Sequence, residues 1–260
     1  MADERGRTRT PGPPAGLRTA AVWAALEELA LDRSTRLGRA LLVLDLGGGT
    51  GGIAVPLAEA GHDVTVVDPS PDALASLRRR AAERGVEDRV HAVQGDTDSV
   101  RDLGGDSPPA YDIVCLHGTL EVVDDPDAAL AGVADVLAPG GTLSLVVAQR
   151  LHAALARALA GQFERASAVL TRPDGRWGED DPAPRRFDEA TILDLLAAHG
   201  LQPFDSHGAR IFSDLVPSAL VDSEADRVAL LELEDLASRH PDHPLLGALG
   251  SVRHVLATRG

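Results

Sequence analysis

Apolar positions recur along this chain with two periods that take turns. Residues 41–46 (Leu-Leu-Val-Leu-Asp-Leu) are a short apolar run. Gly47-Gly48-Gly49-Thr50-Gly51-Gly52 follows, then residues 53–58, whose spacing predicts a helix. Gly61 stops that helix, and 63–68 reads as a second strand. Residues 71–84 predict a helix with proline in its first turn, arginines in its last and Gly85 as its stop. Strands are expected at 89–94 and 111–116, a helix over 127–137 and a fifth strand at 142–148. Ahead of them, Leu17, Ala20, Ala21, Ala24, Ala25, Leu26 and Leu29 fit the apolar face of a helix over 16–32.

Beyond residue 148 the regular alternation lapses. A long helix is expected over 150–170, a Pro/Gly/Asp-rich loop with Trp177 over 171–186, and a helix over 187–198 ended by Gly200. The last third holds a periodic helix over 224–238 between two candidate strands. These are 201–213, broken or bulged at His207-Gly208, and 251–258. Five βα units and a last strand inserted antiparallel predict an α/β fold: a Rossmann-like, seven-stranded, mostly parallel sheet with helices on both faces.

The glycine-dense turn between strand and helix carries the first chemistry. Glycines permit a tight turn and bring backbone N–H groups against a ligand at a helix N-terminus. Gly47, Gly49 and Gly52 satisfy G-x-G-x-x-G, the dinucleotide pattern, but that pattern alone says little. Asp45 at the strand end separates the readings. A carboxylate there repels a pyrophosphate and suits a ligand with an ammonium and a sulfonium. That ligand is S-adenosylmethionine, preferred over a nicotinamide or flavin and over a turn with no ligand.

Three further strand ends follow from position. Asp68, about twenty residues after the turn, stands where an acid accepts from ribose hydroxyls. Asp96 closes the third strand, placed to accept from an adenine amino group or to make a local turn. His117 ends the fourth strand, where donor and acceptor meet; it either caps the loop or stands beside the cofactor.

Composition changes the picture in three places. No run of eighteen apolar residues occurs in the 260, and the polar, Pro-containing N-terminus lacks the apolar segment of a signal peptide. A cytoplasmic protein with a mobile tail over 1–16 is expected. A single domain should then fill 17–260, with a cofactor half over 38–150 and an acceptor side over 151–260. Cys115 lies in an apolar run and reads as a core thiol; the scattered histidines predict no metal site. The net charge of −15 argues against a broad nucleic-acid surface, though not against a local basic cleft. All 25 basic residues are arginine.

Asp45-Leu46-Gly47-Gly48-Gly49-Thr50-Gly51, Asp68, Asp125-Pro126 and Leu137-Ala138-Pro139-Gly140-Gly141 together resemble the class I S-adenosylmethionine-dependent methyltransferases. Segments outside that cofactor core are similar to the bacterial tRNA 5-carboxymethoxyuridine methyltransferases, which methylate a carboxylate on a wobble uridine. They are Leu17-Arg18 with Trp23, His117-Gly118-Thr119-Leu120-Glu121, Gly161-Gln162-Phe163, Gly208 through Asp214 and Leu230 through Glu234. The resemblance implies that Arg18 pairs with the cofactor's carboxylate and that Gly47 and Gly48 line the turn. It also implies that Asp68 holds the ribose, that Thr97 and Asp98 lie near the adenine, and that His117 stands at the acceptor side. The chain departs from that family at Val147-Ala148-Gln149 and over 172–181, both expected to face RNA.

A carboxylate acceptor is ionised near neutrality and needs no general base, so alignment and exclusion of water carry the reaction. An arginine should bind the acceptor's carboxylate or a phosphate: Arg210, then Arg150, then Arg186. A hydroxyl or amine acceptor would instead call on His117 or Glu121 as base. The acceptor is thus either tRNA or a small molecule. A protein that binds the cofactor without catalysis is the remaining alternative.

Overall fold

The computed structural model describes residues 20–103, 110–240, 242–243 and 245–260. The expected tail over 1–16, and Leu17 and Arg18, lie outside the described residues. The first described element is helix α1 (Ala20–Leu37), which buries Val22, Trp23 and Leu26. Strand β1 (Leu42–Leu46), helix α2 (Ala54–Glu59), strand β2 (Asp63–Asp68), helix α3 (Pro71–Arg84) and strand β3 (Val90–Gln94) then alternate as expected. Local chemistry sets the helix ends. Ser70 caps α3 by accepting from the Ala73 amide, Pro71 starts its first turn, and Gly85 ends it in the left-handed conformation. Strand β4 (Tyr111–His117) leads to helix α4 (Pro126–Val136), capped by Asp125 through the amides of Asp127 and Ala128.

Strand β5 (Leu137–Ala148) begins ahead of the expected 142. Leu137 already pairs with Tyr111, and the register then jumps so that Thr142 faces Ile113. The 150–170 helix is two helices, α5 (Arg150–Leu159) and α6 (Phe163–Thr171). Gly161 separates them at φ 73°, which an α-helix excludes. Helix α7 (Glu189–Ala198), strand β6 (Leu201–Ala209), helix α8 (Glu224–Ser238), the short helix α9 (Leu245–Ala248) and strand β7 (Val252–Arg259) complete the described α-helices and strands. β6 stops at Ala209 rather than 213, and its irregularity falls between Pro203 and Asp205, while His207-Gly208 pairs regularly with β7. Proline has no N–H for the ladder, so the edge strand bulges there.

The sheet order is β3-β2-β1-β4-β5-β7-β6, with β7 antiparallel to both neighbours and the remaining pairs parallel. One face packs Leu44, Leu46, Val114, Leu116, Leu143 and Leu145 against α4 and α7. The other packs Val43, Val64, Val66 and Ile113 against α1, α2 and α3, with Cys115 buried among them. The carboxyl ends of β1, β2, β4, β5 and β6 therefore share one edge, where a doubly wound sheet collects its ligands. Among the described residues no helix is long and apolar enough to cross a membrane.

Candidate functional site

At that edge Gly47 takes φ 73° and its amide donates to Val67 O at 2.7 Å, drawing the turn against the end of β2. The Gly49 amide donates to Asp68 Oδ2 and the Ser70 amide to Asp68 Oδ1, both at 2.9 Å. The Gly51 amide returns to Gly48 O. The N–H groups of Gly47, Gly49 and Gly51 are thus engaged within the protein. What the turn supplies is a close, side-chain-free wall with Asp68 locked behind it. A carboxylate has about four lone-pair sites, so two backbone bonds leave Asp68 able to accept from hydroxyls.

A cavity of about 390 Å³ opens beside this wall. Gly47, Asp68, Asp96, Thr97, Asp98 and His117 line it together, with Gly118, Thr119 and Asp124 among the others. Thr119 is held by its hydroxyl donating to Leu46 O at 2.9 Å. Asp96 makes the local turn, Oδ1 accepting from the amides of Asp98 and Ser99, and it also lines the cavity. Gly48 and Gly49 shape the turn without lining the cavity.

Asp45 lies beneath the turn rather than in the cavity. It is 3% exposed, and its carboxylate occupies the space that a side chain on Gly48 would need. Burial first, then the charge of Asp68, raises its pKa to about 7. Asp45, Asp68, Asp96, Asp98 and Asp124 therefore put a field of carboxylates at and under one cavity. A cation is the ligand such a site attracts.

His117 Nε2 lies 2.8 Å from Ser144 Oγ, and burial lowers the imidazole pKa to about 4 against a contact with the Ser144 backbone that raises it. The ring is neutral near pH 7. Glu121, the other candidate base, is buried beside the cavity without lining it, and its Oε1 accepts from the Ala148 amide at 2.6 Å. Burial raises its pKa.

Arg210 stands at the carboxyl end of β6, on the same sheet edge but in a different cavity. That space of about 210 Å³ lies between the start of α1 and α8. Arg210 is the only non-glycine with positive φ among the described residues, at 61°. Glu234 of α8 holds the segment after it by accepting from the amides of Ile211, Phe212 and Ser213 at 2.7–2.8 Å. The Arg210 guanidinium pairs with Asp214. Sequence reasoning did not find Glu234 as the residue that holds this segment; the signal was an acid within an apolar-periodic helix.

The other two arginine candidates are engaged structurally. Arg150 donates to the carbonyls of Val169, Arg172 and Pro173, closing the end of α6, and pairs with Asp188 at 3.0 Å. Arg186 is 8% exposed, binds Asp181 through two bonds of 2.7 and 3.0 Å, and stacks on Trp177. Val147-Ala148-Gln149 does not face outward as expected. Val147 and Gln149 are buried, and Gln149 Nε2 donates to the carbonyls of Gly247, Gly250 and Val252.

Residues 44–143 match a methyltransferase domain family, and every residue lining the 390 Å³ cavity falls within that stretch. This chain carries an S-adenosylmethionine-dependent methyltransferase domain. A relative similar to the whole methyltransferase is the tRNA 5-carboxymethoxyuridine methyltransferase of Escherichia coli (strain K12). It is 29% identical over 231 residues, 89% of this chain and 85% of that protein. The ubiquinone biosynthesis O-methyltransferase of Xanthomonas euvesicatoria pv. vesicatoria (strain 85-10) is 37% identical over 129 residues, 49% of this chain and 52% of its own. Magnesium protoporphyrin IX methyltransferase from Synechocystis PCC 6803, solved with S-adenosylhomocysteine, shares the fold. Its TM-score is 0.58 at 17% identity, over 94% of this chain and 86% of that one.

The cavity of the methyltransferase fits its cofactor on its own terms. Its volume lies within the roughly 300–1,000 Å³ usual for small ligands. Asp68 keeps acceptor capacity for a diol, and the carboxylates suit a sulfonium and an ammonium. Among the described residues no group of three or more His, Cys, Asp or Glu could hold a metal ion.

Proposed function

We propose that this methyltransferase transfers its methyl group to the carboxylate of a 5-carboxymethoxyuridine in tRNA. The observation that carries the reading is similarity that continues through the acceptor half. The tRNA methyltransferase of Escherichia coli aligns over 89% of this chain, whereas the ubiquinone O-methyltransferase aligns over 49%. Two of the segments that suggested this family from sequence, 208–214 and 230–234, meet in the Glu234 clamp.

Bound in the 390 Å³ cavity, the cofactor supplies an electrophilic methyl on a sulfonium. Asp68 would bind the ribose hydroxyls, Asp96, Thr97 and Asp98 would hold the adenine, and the Asp45 carboxylate would favour the cation from beneath. Arg18 pairs with the cofactor's carboxylate on the family resemblance. His117, neutral, borders the place where donor and acceptor meet. Arg210, next to the segment that Glu234 holds and paired with Asp214, binds the acceptor's anion from the neighbouring cavity. An ionised carboxylate attacks without a base, so the protein acts by alignment and by excluding water.

A small-molecule acceptor is the second reading. The net charge of −15 favours it, as does the internal engagement of Arg150 and Arg186, which removes two arginines from an RNA surface. Radiolabelled methyl transfer to bulk tRNA carrying the unmethylated carboxymethoxy nucleoside separates the two. Incorporation at low salt is expected. With S-adenosylhomocysteine binding confirmed, an absence of incorporation would leave only the small-molecule reading.

A further inference from the structure

Behind His117 a row of buried polar side chains crosses the sheet on the face that α1 covers. His117 Nε2 and His254 Nε2 each lie 2.8 Å from the same oxygen, Ser144 Oγ. Ser144 and His254 are fully buried. On the far side the His207 ring meets His254 edge-on with centroids 4.9 Å apart. Arg239 donates to His207 Nδ1 at 3.0 Å, and Asp205 lies beside both. Of this group His117 alone lines the cofactor cavity.

A hydroxyl carries one proton. Set between two neutral imidazole nitrogens, it donates to one and accepts from the other. His254 decides the direction, because its Nδ1 is buried without a hydrogen-bond partner. A proton on Nδ1 would be an orphaned buried N–H, which native structures avoid more strictly than an unused acceptor. The His254 proton therefore sits on Nε2 and goes to Ser144 Oγ, and the Ser144 hydroxyl donates onward to His117 Nε2. The reverse order would let the His117 ring donate towards the Ser144 backbone as well. It would do so only by orphaning the N–H of His254.

We propose that Ser144 and His254 are positioning residues that hold His117 as its Nδ1–H tautomer, making it a fixed neutral donor at the cofactor cavity. This rests on the reading that His117 borders the reacting groups. Burial lowers the pKa of His117 to about 4 and that of His254 well below its ordinary value, with His117, His207 and Arg239 adding to the effect on His254 and Asp205 opposing it. Both rings thus stay neutral near pH 7. With Nε2 committed to Ser144, Nδ1 is the ring nitrogen left for the cavity, and a protonated Nδ1 has no lone pair to receive a proton. His117 then serves as a donor to an anionic oxygen and not as a base. The site is matched to an acceptor already ionised, such as a carboxylate, over a hydroxyl or an amine.

Ring-nitrogen NMR on the full chain labelled with 15N-histidine tests this directly. Among nine histidines, His117→Gln and His254→Gln identify the two rings by loss of their signals. At pH 7 His117 should show a protonated Nδ1 and a bare Nε2, and His254 the reverse. A bare Nδ1 on His117, or a doubly protonated ring at either position, overturns the proposal. Ser144→Ala should leave His117 as a mixture of tautomers and slow methyl transfer roughly tenfold, the worth of about one hydrogen bond. A Ser144→Ala protein that only melts lower, with the His117 tautomer unchanged, also overturns it. The wild-type spectra decide even where Ser144→Ala fails to fold. They do not depend on which acceptor is used, so the tautomer is read equally well whether or not tRNA proves to be the substrate.

Discussion

Two aspartates close together in the fold behave in opposite ways, and both differences are measurable. Asp68 has both oxygens on backbone amides and keeps acceptor capacity towards the cavity. Asp68→Ala should weaken S-adenosylhomocysteine binding by about 1–3 kcal/mol, as expected for hydrogen bonds to a charged group. Calorimetry reads this, and unchanged affinity would remove Asp68 from the site. Asp45 is buried under Gly48 with its pKa raised to about 7 from 3.8. The folded protein binds that proton more tightly than the unfolded chain does. The group's contribution to stability is therefore greatest below the unfolded value and is lost as pH rises through about 7. Asp45→Asn should raise the melting temperature of the ligand-free protein at about pH 8 more than at about pH 5.5. Over the same range cofactor affinity should rise in the wild type, as Asp45 ionises beneath a cationic ligand, and stay flat in Asp45→Asn. A wild-type affinity independent of pH would contradict this placement of the charge.

At the scale of elements, two junctions control the acceptor side. Glu234 ties α8 to the segment after β6 by three charged hydrogen bonds, in a position 6% exposed. Glu234→Gln replaces one accepting oxygen with an NH2 that faces backbone donors. It should destabilise by about 2–3 kcal/mol in urea unfolding and reduce methyl transfer more than cofactor affinity. A variant that loses stability without any change in transfer would make the clamp purely architectural. Gly161 is the hinge between α5 and α6. No atom lies within 4 Å of where its Cβ would be, so Gly161→Ala isolates backbone strain at φ 73°. It should cost roughly 1–2 kcal/mol, read as a lower urea midpoint with cofactor affinity unchanged. The two helices that Gly161 separates are closed by Arg150 on the α6 carbonyls, while Arg157 and Arg186 both stack on Trp177. Arginine in this region is a packing device as much as a charge.

For the whole molecule the tRNA reading sets a local cation against a net charge of −15. Of the arginines first considered for RNA, Arg150 and Arg186 are engaged internally. Arg210 lines the neighbouring cavity but is paired with Asp214, and Arg185, not among those candidates, donates to Asp124 O of the cofactor cavity at 3.4 Å. RNA held by so few contacts should bind weakly and lose affinity steeply between about 50 and 200 mM salt, through counterion release. Arg210→Ala should abolish turnover while leaving cofactor affinity intact. Filter binding and radiolabel transfer across the salt range check both. A salt-independent affinity would separate binding from phosphate contacts.

What the sequence determined by itself was the part of the molecule built from local periodicity and turn chemistry. The alternation of apolar runs, the glycine turn, Ser70-Pro71 and Asp125-Pro126 specify β1 to α4 within a few residues. The strand-end positions of Asp68, Asp96 and His117 bring them to one cavity because parallel strands share a carboxyl edge. Tertiary structure alone decided the rest, because burial and pairing across distant segments have no local signature. The break at Gly161 competes with an uninterrupted apolar period, and the bulge after Pro203 depends on β7 beside it. Whether an arginine is free depends on an aspartate or carbonyl brought from elsewhere, as with Arg186 on Asp181 and Arg150 on α6. Asp45 lies below the ligand's cavity rather than in it, because Gly48 folds over it. His117 meets His254, remote in sequence, across the Ser144 hydroxyl and edge-on between the rings only because β7 is inserted beside β5.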